Sequence, residues 1–159
     1  TMTGKTNATS VVVRKGPSTL KGKLTTLKIN TGVTITGISG SWYKISIKTG
    51  GKKKTGYIKK SYVTIIRKPT LSVKAAAPDK IKLTWDKISG ASGYEIQRYN
   101  PSTGKYVKIK TIKKGSTVSY TNSGLTSGLT YKYKMRSYKT VKGKKIYSYY
   151  CPAKSAKTN

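Results

Sequence analysis

Ser39-Gly40-Ser41-Trp42-Tyr43-Lys44-Ile45-Ser46-Ile47 is the stretch that decides the fold. Ser-Gly-Ser has the composition of a turn. Strict alternation follows. Tyr43, Ile45 and Ile47 fall on one side of a strand, and Trp42, Lys44 and Ser46 on the other. The apolar set belongs on the core face, which leaves Trp42 at or near solvent. A large exposed aromatic beside a turn suits contact with a ligand. The alternative is a Trp that caps the open end of a small barrel. Both readings stand at this level.

Outward from this strand the same pattern repeats in short pieces. Val11-Val12-Val13-Arg14 is a strand, and Lys15-Gly16-Pro17-Ser18 a turn. Leu20, Leu24, Leu27 and Ile29 read as a loop running into a short strand. Val33-Thr34-Ile35-Thr36 alternates and stops at Gly37. Thr49-Gly50-Gly51 with Lys52-Lys53-Lys54 forms a hairpin tip. Gly56-Tyr57-Ile58 is a further strand. Lys59-Lys60-Ser61-Tyr62 is a tight turn, and Val63 to Ile66 closes the unit. Residues 1 to 8 are small and polar and are expected to fray. Many short strands without an amphipathic helix indicate a small barrel.

Val11 to Ile66 resembles the bacterial SH3 domain family, the small barrels associated with cell walls. Val11-Val12-Val13-Arg14-Lys15-Gly16-Pro17-Ser18 is similar to the family's opening (L/V)-N-V-R-x-G-P-S. Gly40-Ser41-Trp42-Tyr43-Lys44-Ile45 is similar to its G-x-W-Y-K-V. Thr55-Gly56-Tyr57-Ile58-Lys59-Lys60-Ser61-Tyr62-Val63 is similar to its T-G-W-V-x-x-x-Y-L. The chain departs from the family at Val12, where Asn is usual, and at Tyr57, where Trp is common. The first change removes a polar group; the second keeps the aromatic surface.

Arg67-Lys68-Pro69 is the joint, because Pro69 fixes its own backbone and has no amide hydrogen. The expected domains are residues 1–68 and 69–159. From Thr70 a second rhythm begins. Leu71 and Val73 alternate, as do Ile81, Leu83 and Trp85, then Tyr94, Ile96 and Arg98. Tyr106 to Ile112, Thr117 to Tyr120 and Tyr131 to Tyr138 follow, and a last strand is expected near Lys145 to Tyr150. Seven strands with turns between them indicate a β-sandwich. Residues 70 to 157 resemble fibronectin type III domains. Trp85 stands where that family keeps a core tryptophan. Gly124-Leu125-Thr126-Ser127-Gly128-Leu129-Thr130-Tyr131-Lys132-Tyr133 is similar to its L-x-P-x-T-x-Y-x-F corner, with Ser127 in place of the common Pro. The resemblance implies that the Tyr131 hydroxyl bonds nearby backbone. The expected fold class is therefore all-β, an SH3-like barrel followed by a fibronectin type III (immunoglobulin-like) β-sandwich.

Charge narrows the partners. The 159 residues carry 34 Lys and Arg against 3 Asp and Glu, a net charge of +31. Such a chain attracts DNA, RNA, anionic lipid and cell-wall polyphosphates alike. Only Arg14, Arg67, Arg98 and Arg136 are arginines. Lysine supplies charge without the planar fork that grips phosphate and guanine, which argues against specific nucleic-acid recognition. The one cysteine, Cys151, admits no intramolecular disulfide. No apolar run is long enough to span a membrane.

Catalysis has little to work with. The chain lacks His, so His-based triads, general bases and metal ligands are excluded. Asp79 and Asp86 should lie at opposite ends of one strand, too far apart for an acid–base pair. Cys151 has no His to activate it and reads as a strand residue. No cofactor and no metal site are expected. Binding is the better prospect. If the barrel resembles its family, Trp42, Tyr57 and Tyr62 either line a groove for wall peptides or serve packing, and Tyr43 belongs to the core. Lys52, Lys53, Lys54, Lys59 and Lys60 are the candidate polyanion contacts, although Lys52, Lys53 and Lys54 read first as a solvated hairpin tip. The expected partner is peptidoglycan or an anionic cell-wall polymer, met outside the cell by a monomeric, secreted or wall-attached protein of a Gram-positive-type bacterium. On this reading the chain is no enzyme but a wall-binding and spacer part of a larger protein, such as a wall hydrolase. The alternatives are a nucleic-acid or polyanion binder acting through its lysines, and a passive adhesion or spacer module.

Overall fold

The computed structural model describes residues 2–159. Every element longer than one turn is a strand. In order they are β1 Met2–Thr6, β2 Ser10–Arg14, β3 Lys23–Lys28, β4 Gly32–Ser39, β5 Trp42–Thr49, β6 Lys52–Lys59, β7 Val63–Thr64, β8 Leu71–Ala77, β9 Lys80–Trp85, β10 Gly93–Asn100, β11 Lys105–Ile112, β12 Ser119–Asn122, β13 Thr130–Val141, β14 Lys144–Tyr147 and β15 Lys154–Lys157. A single 3-10 turn, Lys60–Tyr62, separates β6 from β7. The chain divides into two compact units. One is Thr1–Ile66 with Thr140–Tyr147, the other Arg67–Lys139 with Ser148–Asn159.

The first unit is one antiparallel sheet in the order β3-β2-β6-β5-β4-β1-β7. Val11 and Val13 of β2, near one end of that order, share a core with Val63 of β7 at the other, and with Val33, Ile35, Ile45, Ile47 and Ile58. The sheet therefore curls round its own apolar face, as a small barrel must. Gly50 and Gly51, at φ +56° and +74°, make the two-residue turn that joins β5 to β6. Both residues need positive φ, which the Gly-Gly pair allows without strain.

One expectation fails at the start of this unit. Residue 1 lies outside the described residues, but Met2 to Thr6 does not fray. It pairs with β4 and with β7. Thr6 is fully buried, and its hydroxyl donates to the Lys28 carbonyl and accepts from the Thr31 amide. Polar residues hold this strand by hydrogen bonds rather than by an apolar face. Asn30, at φ 62°, also belongs to this unit's hydrogen bonding. Its Nδ2 donates to the Lys145 carbonyl at 3.0 Å, and its Oδ1 accepts from the Tyr147 amide at 2.9 Å.

The second unit is a sandwich. One of its sheets has the order β11-β10-β13, with β15 on the edge of β13, and the other the order β12-β9-β8. Leu71, Ile81, Leu83 and Trp85 from the smaller sheet are buried, as are Tyr94, Ile96, Tyr133 and Met135 from the larger. The Trp85 and Tyr94 rings meet at 5.3 Å with a 60° tilt. The Thr126 amide donates to the Tyr131 hydroxyl at 2.8 Å, the corner that the sequence implies. The chain end differs from expectation. The penultimate strand stops at Tyr147, and a further strand, Lys154–Lys157, pairs with Thr130 to Tyr133. Cys151 lies in neither. It sits buried between them, its amide donating to the Met135 carbonyl at 2.9 Å.

Candidate functional site: an aromatic depression on the barrel

The outer face of β2, β6 and β5 follows from strand parity. Val11 and Val13 point into the core, so Val12 and Arg14 point out. Ile45, Ile47 and Ile58 point in, so Trp42, Lys44, Tyr57 and Lys59 point out. Register then sets the neighbours. Trp42 lies opposite Lys59, Lys44 opposite Tyr57, and Arg14 opposite Tyr57. One cross-strand row runs through Trp42 and Lys59 toward Val12, and the next through Lys44, Tyr57 and Arg14. The 3-10 turn brings Tyr62 back over the first row.

Ser10, Val12, Arg14, Trp42, Lys59 and Tyr62 line an open depression of about 180 Å³. Trp42 is its floor. The sequence reading places Trp42 at or near solvent, and the structure corrects this: the side chain is only 9% exposed. It is nevertheless absent from the barrel core and lies on the opposite face of β5. Its neighbours on that outer face cover it. The Lys59 ammonium stands 5.8 Å from the indole centroid, within reach of a cation–π contact. Tyr62, 41% exposed, forms the rim. The Arg14 guanidinium donates to the Lys21 carbonyl at 2.9 Å, which anchors it at the other side of the depression.

Of the three aromatic candidates, Trp42 and Tyr62 meet in the depression, and Tyr57 stands one row away, half-buried beside Arg14 and Lys44. Tyr43 is also half-buried. It packs against the barrel core, and the Lys60 ammonium lies 5.6 Å from its ring. Among the candidate polyanion contacts, Lys59 and Lys60 stand at this end of the β5–β6 hairpin. Lys52, Lys53 and Lys54 are exposed near its tip, about 20 Å away at the rise of a strand. The lysines therefore form two groups rather than one patch. Reading residue types alone missed Ser10, Val12 and Arg14. The alternation of Val11 to Arg14 already put Val12 and Arg14 on the outer face, but only the β2–β6 pairing shows which residues they face.

The depression offers an apolar aromatic floor, a phenol and two cations. That set can hold a ligand with a flat or aliphatic body and an anionic end. It contains no acid, thiol or imidazole. Among the described residues no three His, Cys, Asp or Glu come together to hold a metal ion. Asp86, after β9, accepts from the Thr70 amide at 2.6 Å and pairs with Arg67 at 2.6 Å. Those contacts, the Thr70 amide foremost, hold its carboxyl below the usual range. Burial pushes the Cys151 thiol up, away from the reactive thiolate.

Residues 9–64 match the bacterial SH3 domain family model. No curated protein matches the chain. Solved structures similar to it include FN3tt, at 19% identity and a TM-score of 0.47, over 60% of this chain and 99% of that one. An Fn3-like protein from Clostridium thermocellum is 24% identical with a TM-score of 0.47, over 59% of this chain and 94% of that one. The fn3 domain of human collagen alpha-1(XX) chain is 16% identical with a TM-score of 0.47, over 58% and 84%. Residues 9–64 are thus similar to bacterial SH3 domains, and the strands of the chain make an all-β arrangement. None of these similarities is to a catalytic family. No helix among the described residues is long and apolar enough to cross a membrane.

Proposed function

We propose that the chain is a non-catalytic wall-binding and spacer piece of a larger secreted or surface protein, such as a wall hydrolase, from a Gram-positive-type bacterium. The barrel takes peptidoglycan through the Trp42–Tyr62 depression, and the sandwich spaces the barrel from whatever else the protein carries. The observation that carries this reading is Trp42 itself. A large aromatic side chain lies on the outer face of the sheet, outside the core, under an exposed tyrosine. It is covered yet lies outside the core cluster, so it can floor a binding depression as well as support the barrel. Arg14 and Lys59 at the sides suit the carboxylates of a wall peptide.

The net charge of +31 favours a second reading, in which any polyanion is bound through lysines and the depression is incidental. Capture on peptidoglycan stripped of its anionic polymers separates the two. Binding that needs Tyr62 and survives high salt supports the depression. Binding that vanishes with added salt and ignores Tyr62→Ala favours charge.

A further inference from the structure

The larger sheet of the sandwich presents a row of cations held on tyrosine rings. Tyr133, Met135 and Ser137 of β13 are buried, so Lys132, Lys134 and Arg136 face outward. Side chains at every second position of a strand repeat at roughly 7 Å. Register brings neighbours from β10 and β11 onto the same face: Glu95 opposite Arg136, Gln97 opposite both Lys134 and Lys108, and Tyr99 opposite Tyr106. The Lys134 ammonium lies 4.1 Å from the Tyr106 ring centroid and 4.4 Å from that of Tyr150. Lys132 lies 5.9 Å from Tyr99, and Arg136 4.6 Å from Tyr150. Tyr99 and Tyr106 meet edge to face at 5.3 Å.

We propose that this face is a second binding strip, for a linear polyol-phosphate polymer. Charge is the first reason. Glu95 is buried and accepts from Arg136 and from the Tyr150 hydroxyl, so it compensates one end of the row. The chain's other acids are Asp79 and Asp86, at the two ends of β9 in the other sheet. Lys108, Lys132 and Lys134 therefore share this sheet with one acid, Glu95, which Arg136 and Tyr150 already engage. Order is the second reason. A lysine seated between two rings has already lost much of the freedom that binding would otherwise cost. Regular spacing is the third, since a linear polymer with one phosphate per repeat meets such a row repeatedly. Single-stranded nucleic acid fits less well. Its bases bind by stacking on open aromatic faces, and Lys134 and Arg136 already lie over the rings of Tyr106 and Tyr150. The strip does not depend on the barrel depression.

The test uses the full chain, poly(glycerol phosphate), and a thymidine oligonucleotide with the same number of phosphates. Lys132→Gln with Lys134→Gln is compared with Lys74→Gln with Lys82→Gln, an exposed cross-strand pair on the other sheet that removes the same charge. The strip predicts that the first pair weakens poly(glycerol phosphate) binding about tenfold and lowers its salt slope by about two, one per lost phosphate contact. The second pair should change affinity by no more than about twofold, as an effect of net charge alone. Tyr106→Leu, which removes a ring and no charge, should also weaken binding. If that variant melts early, Lys132→Gln alone, at an exposed side chain, carries the comparison. Equal losses in the two double variants overturn the proposal. So does tighter binding of the oligonucleotide through the same lysines. Tyr62→Ala should leave this binding unchanged, so failure here and failure of the barrel depression are told apart.

Discussion

Trp42 and Lys59 face each other across the β5–β6 ladder, with the Lys59 ammonium 5.8 Å from the indole centroid. This pair lies on the outside of the barrel, yet the Trp is covered almost as well as a core residue. The same side chain therefore supports the barrel and floors the depression.

That double role sets how substitutions should be read. Trp42→Ala should destabilise the barrel by about 3–4 kcal/mol, as loss of a large covered aromatic does, and wall binding falls with it. Tyr62→Ala is the cleaner probe. Its ring is 41% exposed, so stability should change by less than about 1 kcal/mol. Affinity for stripped peptidoglycan should drop about tenfold, as expected for an interface aromatic. Thermal melts and sedimentation with wall fragments check both.

Asn30 supplies a second prediction. It holds a positive φ and bonds Lys145 and Tyr147 with both ends of its amide. Asn30→Gly keeps the backbone conformation and loses the bonds, at about 1–2 kcal/mol. Asn30→Ala adds the strain of the left-handed region and should cost about 1 kcal/mol more. A fragment of residues 1–68 lacks both partners and should melt lower than the same barrel in the whole chain. Denaturant titrations of the variants measure the first two costs directly.

Tyr133 predicts an alkaline effect. Burial pushes its phenol up to about 12, from the ordinary 10.0. Below pH 10 the proton is held in both folded and unfolded chains, and the stabilisation is fully present. Between pH 10 and 12 the unfolded chain releases the proton and the folded one keeps it, so stability falls by about 2–3 kcal/mol. Tyr133→Phe removes this contribution, along with the hydroxyl's bond to Asn122. The variant should be less stable than the parent at neutral pH, with the gap closing above pH 10. Lysine titration is common to both proteins and cancels in the comparison.

Asp86 predicts the opposite limb. Its carboxyl is lowered by the Thr70 amide and by Arg67. The stabilisation is present above the unfolded carboxyl range and is lost as pH falls through the folded value. Asp86→Asn should therefore flatten the acid limb of a pH–melting curve and leave the alkaline limb alone.

The fold was legible where alternation exists. Val11 to Arg14, Trp42 to Lys48 and Ile81 to Trp85 show their apolar faces directly, and the Thr126–Tyr131 corner could be placed from its motif. Met2 to Thr6 and Lys154 to Lys157 were not legible, because both are held by pairing to neighbours and neither has an apolar period. Trp42 shows the limit at the site. Parity placed it correctly on the face opposite Ile45 and Ile47. Its cover comes from Lys59, the last residue of the neighbouring strand β6, and from Tyr62, which a 3-10 turn carries back. Such cover is a matter of register and turn geometry, which residue types in one strand do not encode.

The most direct measurement of the wall-binding claim is a salt titration of affinity for peptidoglycan freed of anionic polymer, in the parent and in Tyr62→Ala. Contacts to an uncharged aromatic floor release few counterions, whereas phosphate-only binding weakens by orders of magnitude between about 50 and 200 mM salt. The parent should keep its affinity within a few-fold across that range, and Tyr62→Ala should be weaker at every salt concentration. Affinity that collapses in the parent, or a Tyr62→Ala curve that overlays it, would contradict the claim.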